Sequence, residues 1–105
     1  MTTRYARNTD PATSHEAAAT VDLNAADEVR IILDICGPLI DEQIEARHEA
    51  MRTKYNFKKR KPQRLRTGRK DLEREGIVVH DEIEPGVPNF RNTTSGRRAH
   101  VWRLA

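Results

Sequence analysis

From Arg52 to Lys70 the chain places ten basic residues and no acidic one. Cations at that density suit a polyanion with closely spaced charges, because each phosphate neutralised by Lys or Arg releases condensed counterions. Lys54, Lys58, Lys59, Arg60, Lys61 and Arg69 are the candidate phosphate contacts. Gln63, Arg64, Arg66, Thr67 and Lys70 follow within two helical turns and are the candidate base contacts, since Arg can hold guanine and Gln can hold adenine through paired hydrogen bonds. Arg91, Arg97 and Arg98 form a second, smaller basic group, expected at or near the tip of a wing, within reach of a neighbouring minor groove or the backbone. Tyr55 and Phe57 interleave the first cluster, where they can stack on bases or pin the segment to the body.

Other chemistry finds little footing. His15-Glu16 and His48-Glu49 each begin like a zinc-protease helix, but Ala19 and Arg52 stand where the second His is required. The one cysteine, Cys36, supports neither a disulfide nor a thiolate zinc site, and its apolar setting suits a small buried hydrophobe. No phosphate-binding glycine loop is present. The expectation is therefore a protein without catalytic residues, metal or cofactor. Asn92-Thr93-Thr94 matches a glycosylation acceptor by chance. With no apolar signal core at Met1-Thr2-Thr3-Arg4 and no run long enough to span a bilayer, the expected place is the cytoplasm.

The charge is divided along the chain. Residues 1–50 hold four basic and ten acidic groups, whereas residues 51–105 hold fifteen basic and six acidic. A chain of 105 residues with a third of them charged makes one small domain with a modest core. A bipolar chain of this kind suits a polyanion on one side and a different partner on the other.

The elements that must position the basic cluster can be read in order. Residues 1–9 are polar and read as a flexible N-terminus. Asp10-Pro11 opens an alanine-rich helix over 10–22, a candidate contact between two copies. Asn24 caps a second helix from Ala25 to Cys36, whose Val29, Ile32, Leu33 and Cys36 form one stripe. Gly37-Pro38 stops it. Asp41 caps a third helix to about Met51, with Ile44, Met51 and either Arg47 or His48 inward and Glu42, Glu45 and Glu49 outward. Residues 52–61 read as a long basic loop. Pro62 starts a fourth helix over 62–75, the recognition helix, with Leu65 and Leu72 inward and Gly68 between them, small enough to admit another helix. Ile77–His80 and 98–104 read as the two strands of one hairpin, with Trp102 in the core and Asp81–Thr94 as the loop between. The fold class is mainly α with a small β-hairpin: a winged helix-turn-helix with an extra N-terminal helix, one domain over 10–105 with its wing at 77–104.

Three stretches resemble small winged helix-turn-helix DNA-binding proteins of actinobacterial phages. They are Asp10-Pro11-Ala12-Thr13-Ser14-His15-Glu16-Ala17-Ala18; Lys61-Pro62 with Arg64, Arg66, Thr67, Arg69, Asp71-Leu72 and Gly76-Ile77-Val78; and Thr94-Ser95-Gly96-Arg97-Arg98-Ala99 with Val101-Trp102 and Leu104. Together they cover about half the chain. The basic 52–61 segment and Lys61, where a Ser or Thr cap is commoner, depart from the pattern. The resemblance implies binding to double-stranded DNA and identifies no regulatory role; the expected function is that of a phage or prophage transcriptional regulator or architectural factor in the host cytoplasm or nucleoid. A homodimer is a further expectation. The competing readings are an adaptor that binds a host protein through the acidic first half, and a binder of structured RNA.

Overall fold

The computed structural model describes residues 23–105. The expected flexible segment 1–9 and helix 10–22 lie outside these described residues. Three helices come first: α1 (Ala25–Cys36), α2 (Asp41–Tyr55) and α3 (Pro62–Arg74). Six short strands follow: β1 (Val78–His80), β2 (Glu82–Glu84), β3 (Val87–Pro88), β4 (Phe90–Asn92), β5 (Arg98–His100) and β6 (Trp102–Leu104). The result is a mixed α/β globule, helices first and small antiparallel strand pairs after.

Helix α1 starts where its sequence says it should. The Asn24 side chain accepts from Asp27 N at 2.8 Å, and Asp27 returns the bond to Asn24 N at 3.1 Å. This reciprocal cap satisfies two of the orphan donors of the first turn. Val29, Ile32 and Leu33 then lie buried on one face. At the other end Gly37, at φ 80°, ends the helix in a conformation only glycine adopts cheaply.

Helix α2 departs from expectation at both ends. Ile40, not Asp41, takes the cap position, and the Gln43 side chain accepts from Ile40 N at 3.2 Å. Asp41 is thereby inside the helix, with its carboxylate available elsewhere. The helix runs on to Tyr55 rather than stopping near Met51. Arg52 and Lys54 in its last turn complement the carbonyl end of the helix dipole, and Asn56 ends it in a left-handed conformation at φ 59°. The basic loop is accordingly shorter than expected, residues 56–61. Of the two inward candidates, His48 is buried and Arg47 exposed.

The core is Val29, Ile32, Leu33, Leu39, Ile44, Phe57, Leu65, Leu72, Val78 and Trp102. Helices α1 and α3 cross closely at Gly68. A Cβ there would stand 2.8 Å from Ala26 N and 2.9 Å from the Ala25 carbonyl carbon. Only glycine permits that approach.

The strands do not form the single hairpin expected from the sequence. Residues 78–80 pair with 102–104 alone, in the register Val78↔Leu104 and His80↔Trp102. Residues 98–100 pair instead with 90–92, and 82–84 pair with 87–88. Three antiparallel pairs thus radiate from one junction, closed by a ring of backbone hydrogen bonds. Asp81 N–H donates to Val101 O at 2.7 Å, Val101 N–H to Asn89 O at 3.2 Å, and Asn89 N–H to Asp81 O at 2.9 Å. Pro85-Gly86 and Ser95-Gly96 turn the two outer hairpins. β6 has a second neighbour: Leu39 and Trp102 exchange backbone hydrogen bonds at 3.0 and 2.8 Å, which ties the α1–α2 link to the strands.

Candidate nucleic-acid interface

The inner side of α3 is Leu65, Gly68, Arg69 and Leu72, all buried. Helical geometry then turns Gln63, Thr67, Lys70 and Arg74 outward, with Arg64 and Arg66 on the two flanks. All six are exposed. Lys61, Gln63, Arg64 and Thr67 line a shallow depression of about 280 Å³ at the start of the helix. Among the described residues, Lys59, Lys61, Arg64 and Lys70 make no ion pair. They form a patch of positive charge that no carboxylate among the described residues pairs.

Other members of the basic window have carboxylate partners. Arg60 folds inward: its Nε donates to Glu28 Oε1 at 2.6 Å and its guanidinium to Leu23 O at 2.9 Å. Arg69 is buried too, held in a fork by Asp41 at 2.9 and 2.7 Å and by Glu73 at 2.9 Å, with its guanidinium 3.9 Å from the centre of the Trp102 ring. Both were expected on phosphate. Their side chains are instead 13% and 8% exposed, and a buried guanidinium keeps its carboxylates because leaving either charge alone is costly. Arg91, expected at the wing tip, donates to Pro38 O at 2.9 Å and to Gln43 Oε1 at 2.8 Å, so it fastens β4 to the start of α2.

Arg66 is intermediate. Its Nε donates to Glu45 Oε2 at 2.7 Å while half of its side chain stays exposed. The hydrogen bond to Glu45, and then the Glu45 charge, hold the Arg66 pKa above the usual guanidinium value. Lys58 and Lys59 are exposed on the loop, and Lys54 lies 5.6 Å from the centre of the Tyr55 ring. Arg97 and Arg98 are exposed on the hairpin 90–100, with the Arg98 guanidinium 4.4 Å from the Phe90 ring centre. That hairpin is latched to α2 as well, through Thr94 N and Oγ1 donating to Glu42 at 2.9 and 2.8 Å.

Glu28 organises the loop before α3. Fully buried on α1, it accepts from His48 Nε2 at 2.9 Å, from Lys58 N at 3.2 Å and from Arg60. Burial works to raise its pKa. The hydrogen bonds from Arg60, His48 and Lys58 N, with the Arg60 charge, outweigh it and hold the carboxyl below its ordinary value. Phe57 stacks on His48 at 5.3 Å and on Tyr55 at 5.8 Å, which makes it a core residue rather than a base-stacking one. Loop 56–61 is therefore a fixed ramp into α3, anchored by Phe57 and Arg60. The sequence reading offers His48 as an inward residue but not as a partner of Glu28, and it passes over Glu28 altogether. A signal existed: each occupies an inward position of its helix, beside Val29 and Ile44 respectively.

Compared with family models, with curated proteins and with solved structures, the chain has no significant match. No helix among the described residues is long and apolar enough to cross a membrane.

Proposed function

We propose that this chain is a winged helix-turn-helix protein that binds double-stranded DNA, with α3 in the major groove. The observation that carries the reading is the basic patch with no ion pair among the described residues: Lys59 and Lys61 on the loop before α3, with Arg64 and Lys70 beside Gln63 and Thr67 on the exposed side of a helix whose inner face is fixed by Leu65, Gly68 and Leu72. Order and pairing support it: helix, the Leu39 bridge, two helices, a strand, hairpins, and a last strand that returns to the first. Gln63, Arg64 and Thr67 read base edges, joined by Arg66 once it leaves Glu45. Lys58, Lys59, Lys61 and Lys70 hold phosphates, and Arg97 and Arg98 reach the backbone beside the groove. DNA binding of this kind fits a phage or prophage regulator or architectural factor that acts without catalysis.

Selection from a pool of random duplexes tests the proposal. The parent enriches a motif, and Arg64→Ala relaxes it at one position at a cost of about 1–3 kcal/mol. Parent and variant yielding the same motif would remove Arg64 from base reading. No enrichment by the parent would leave a non-specific DNA binder or the competing reading, an adaptor for a host protein. One feature favours that alternative: hairpin 82–88 exposes Ile83 at 70% and Val87 at 40% beside Glu82 and Glu84, a surface that DNA would repel.

A further inference from the structure

Two histidines at the root of the wing have no part in the DNA reading. His80 ends β1 opposite Trp102, and His100 ends β5 opposite Phe90. They meet beside the three-way junction, and their rings lie face to face, centroids 4.0 Å apart and planes 3° from parallel. Trp102 packs on His80 at 4.3 Å and Phe90 on His100 at 4.7 Å. The column Trp102–His80–His100–Phe90 thus joins the base pair of strands, β1 and β6, to the basic hairpin, β4 and β5. His100 Nδ1 is buried and has no hydrogen-bond partner among the described residues.

The charges facing His100 are Arg69 and Glu73 from α3, Arg98 from its own strand, and His80 itself when protonated. Of these only Glu73 is acidic, and its carboxylate already accepts from Arg69 at 2.9 Å. A proton added to His100 would enter a stack flanked by two guanidinium groups. We propose that the His80–His100 stack is a proton-operated lock at the wing root, closed while the rings are neutral and opened when His100 is protonated, so that mild acid frees the basic hairpin from β1 and β6.

The sign follows from linkage. Burial first, then His80, hold the His100 pKa below its ordinary value of 6.5, with Arg69 and Arg98 acting in the same direction and Glu73 against. The closed wing therefore binds the proton less readily than the open one. Its stability is whole above about pH 6.5 and declines below that until the closed form itself takes the proton.

The test is made on the full chain without DNA, so it stands apart from the binding proposal. Imidazole resonances are followed by NMR from pH 8 to 5, together with amide exchange in β4, β5 and α1. The expected result is a His100 midpoint below 6.5. Protection in β4 and β5 should fall by up to about tenfold per pH unit, the limit for one proton, while α1 holds. His100→Phe keeps the stack and removes the proton site, and should flatten that profile. His80→Gln removes the neighbouring ring and its coulombic effect on His100, and should move the His100 midpoint upward. A His100 midpoint at or above 6.5, or equal pH profiles for the parent and His100→Phe, would overturn the proposal. Should His100→Phe fail to fold, the parent titration and His80→Gln decide alone.

Discussion

Replacing Gly68 by Ala should destabilise the protein, although helix propensity alone predicts the reverse. In an open helix interior the exchange gains about 1 kcal/mol. Here the new methyl would stand 2.8 Å from Ala26 N and 2.9 Å from the Ala25 carbonyl carbon, where ordinary contact begins near 3.4 Å. Both obstacles are backbone of α1, so no side chain can rotate away. The helices must separate by roughly half an ångström along the seam where Leu65 and Leu72 pack, and overpacking of this kind costs about 1–3 kcal/mol. With the obstacle rigid, the upper part of that range applies, which leaves a net loss of about 1–2 kcal/mol. For a domain of this size that lowers Tm by about 5–15 °C. Thermal melting followed by circular dichroism reads it directly. A Tm equal to or above the parent's would mean that α1 and α3 do not meet as closely as Gly68 implies.

Trp102→Ala should cost about 3–5 kcal/mol and abolish a cooperative melt, because the ring is buried beneath Arg69 and against His80; a variant that melts like the parent would place the ring outside the core. Glu28→Gln should lose about 1.5–3 kcal/mol at neutral pH through weakened bonds from Arg60, His48 and Lys58 N. The depressed Glu28 pKa adds stability that is present above the ordinary carboxyl value of 4.5 and declines as pH falls through the folded value, so urea midpoints between pH 7 and 3 should lose part of their acid limb in the variant. Glu45→Gln should change stability by less than about 1 kcal/mol, since the pair is partly exposed, while tightening duplex binding about two- to fivefold by releasing Arg66; unchanged or weaker binding would show that Arg66 stays on α2.

The helical half of the fold was legible because its signals are local. Asn24, Gly37-Pro38 and Pro62 punctuate the chain, and Val29–Ile32–Leu33 and Leu65–Leu72 fix which sides face inward. Gly68 could be read as a close approach from its place between the two leucines. The branching of the strand region was not legible. Its strands are two or three residues long, too short for alternation to show, and the ring joining Asp81, Asn89 and Val101 is made by backbone groups that carry no sequence signature. The outer face of α3 followed from the inner one. Sorting the cations did not, because the carboxylates that claim Arg60, Arg66 and Arg69 lie 32, 21 and 28 residues away. Arg69 did carry a clue, since it falls four residues after Leu65 and three before Leu72, on the side that faces the body.

The salt dependence of duplex binding by the full chain tests the central claim most directly. Fluorescence anisotropy of a labelled duplex, repeated between 50 and 200 mM salt, gives the slope of log K against log salt, which is about −0.9 for each phosphate contact. Lys58, Lys59, Lys61 and Lys70 with Arg97 and Arg98 offer up to six contacts, so a slope of roughly −4 to −5 is expected, becoming shallower by about 1.8 in Lys59→Ala/Lys61→Ala. No binding at 50 mM salt, or a slope near zero that the double variant leaves unchanged, would contradict the account.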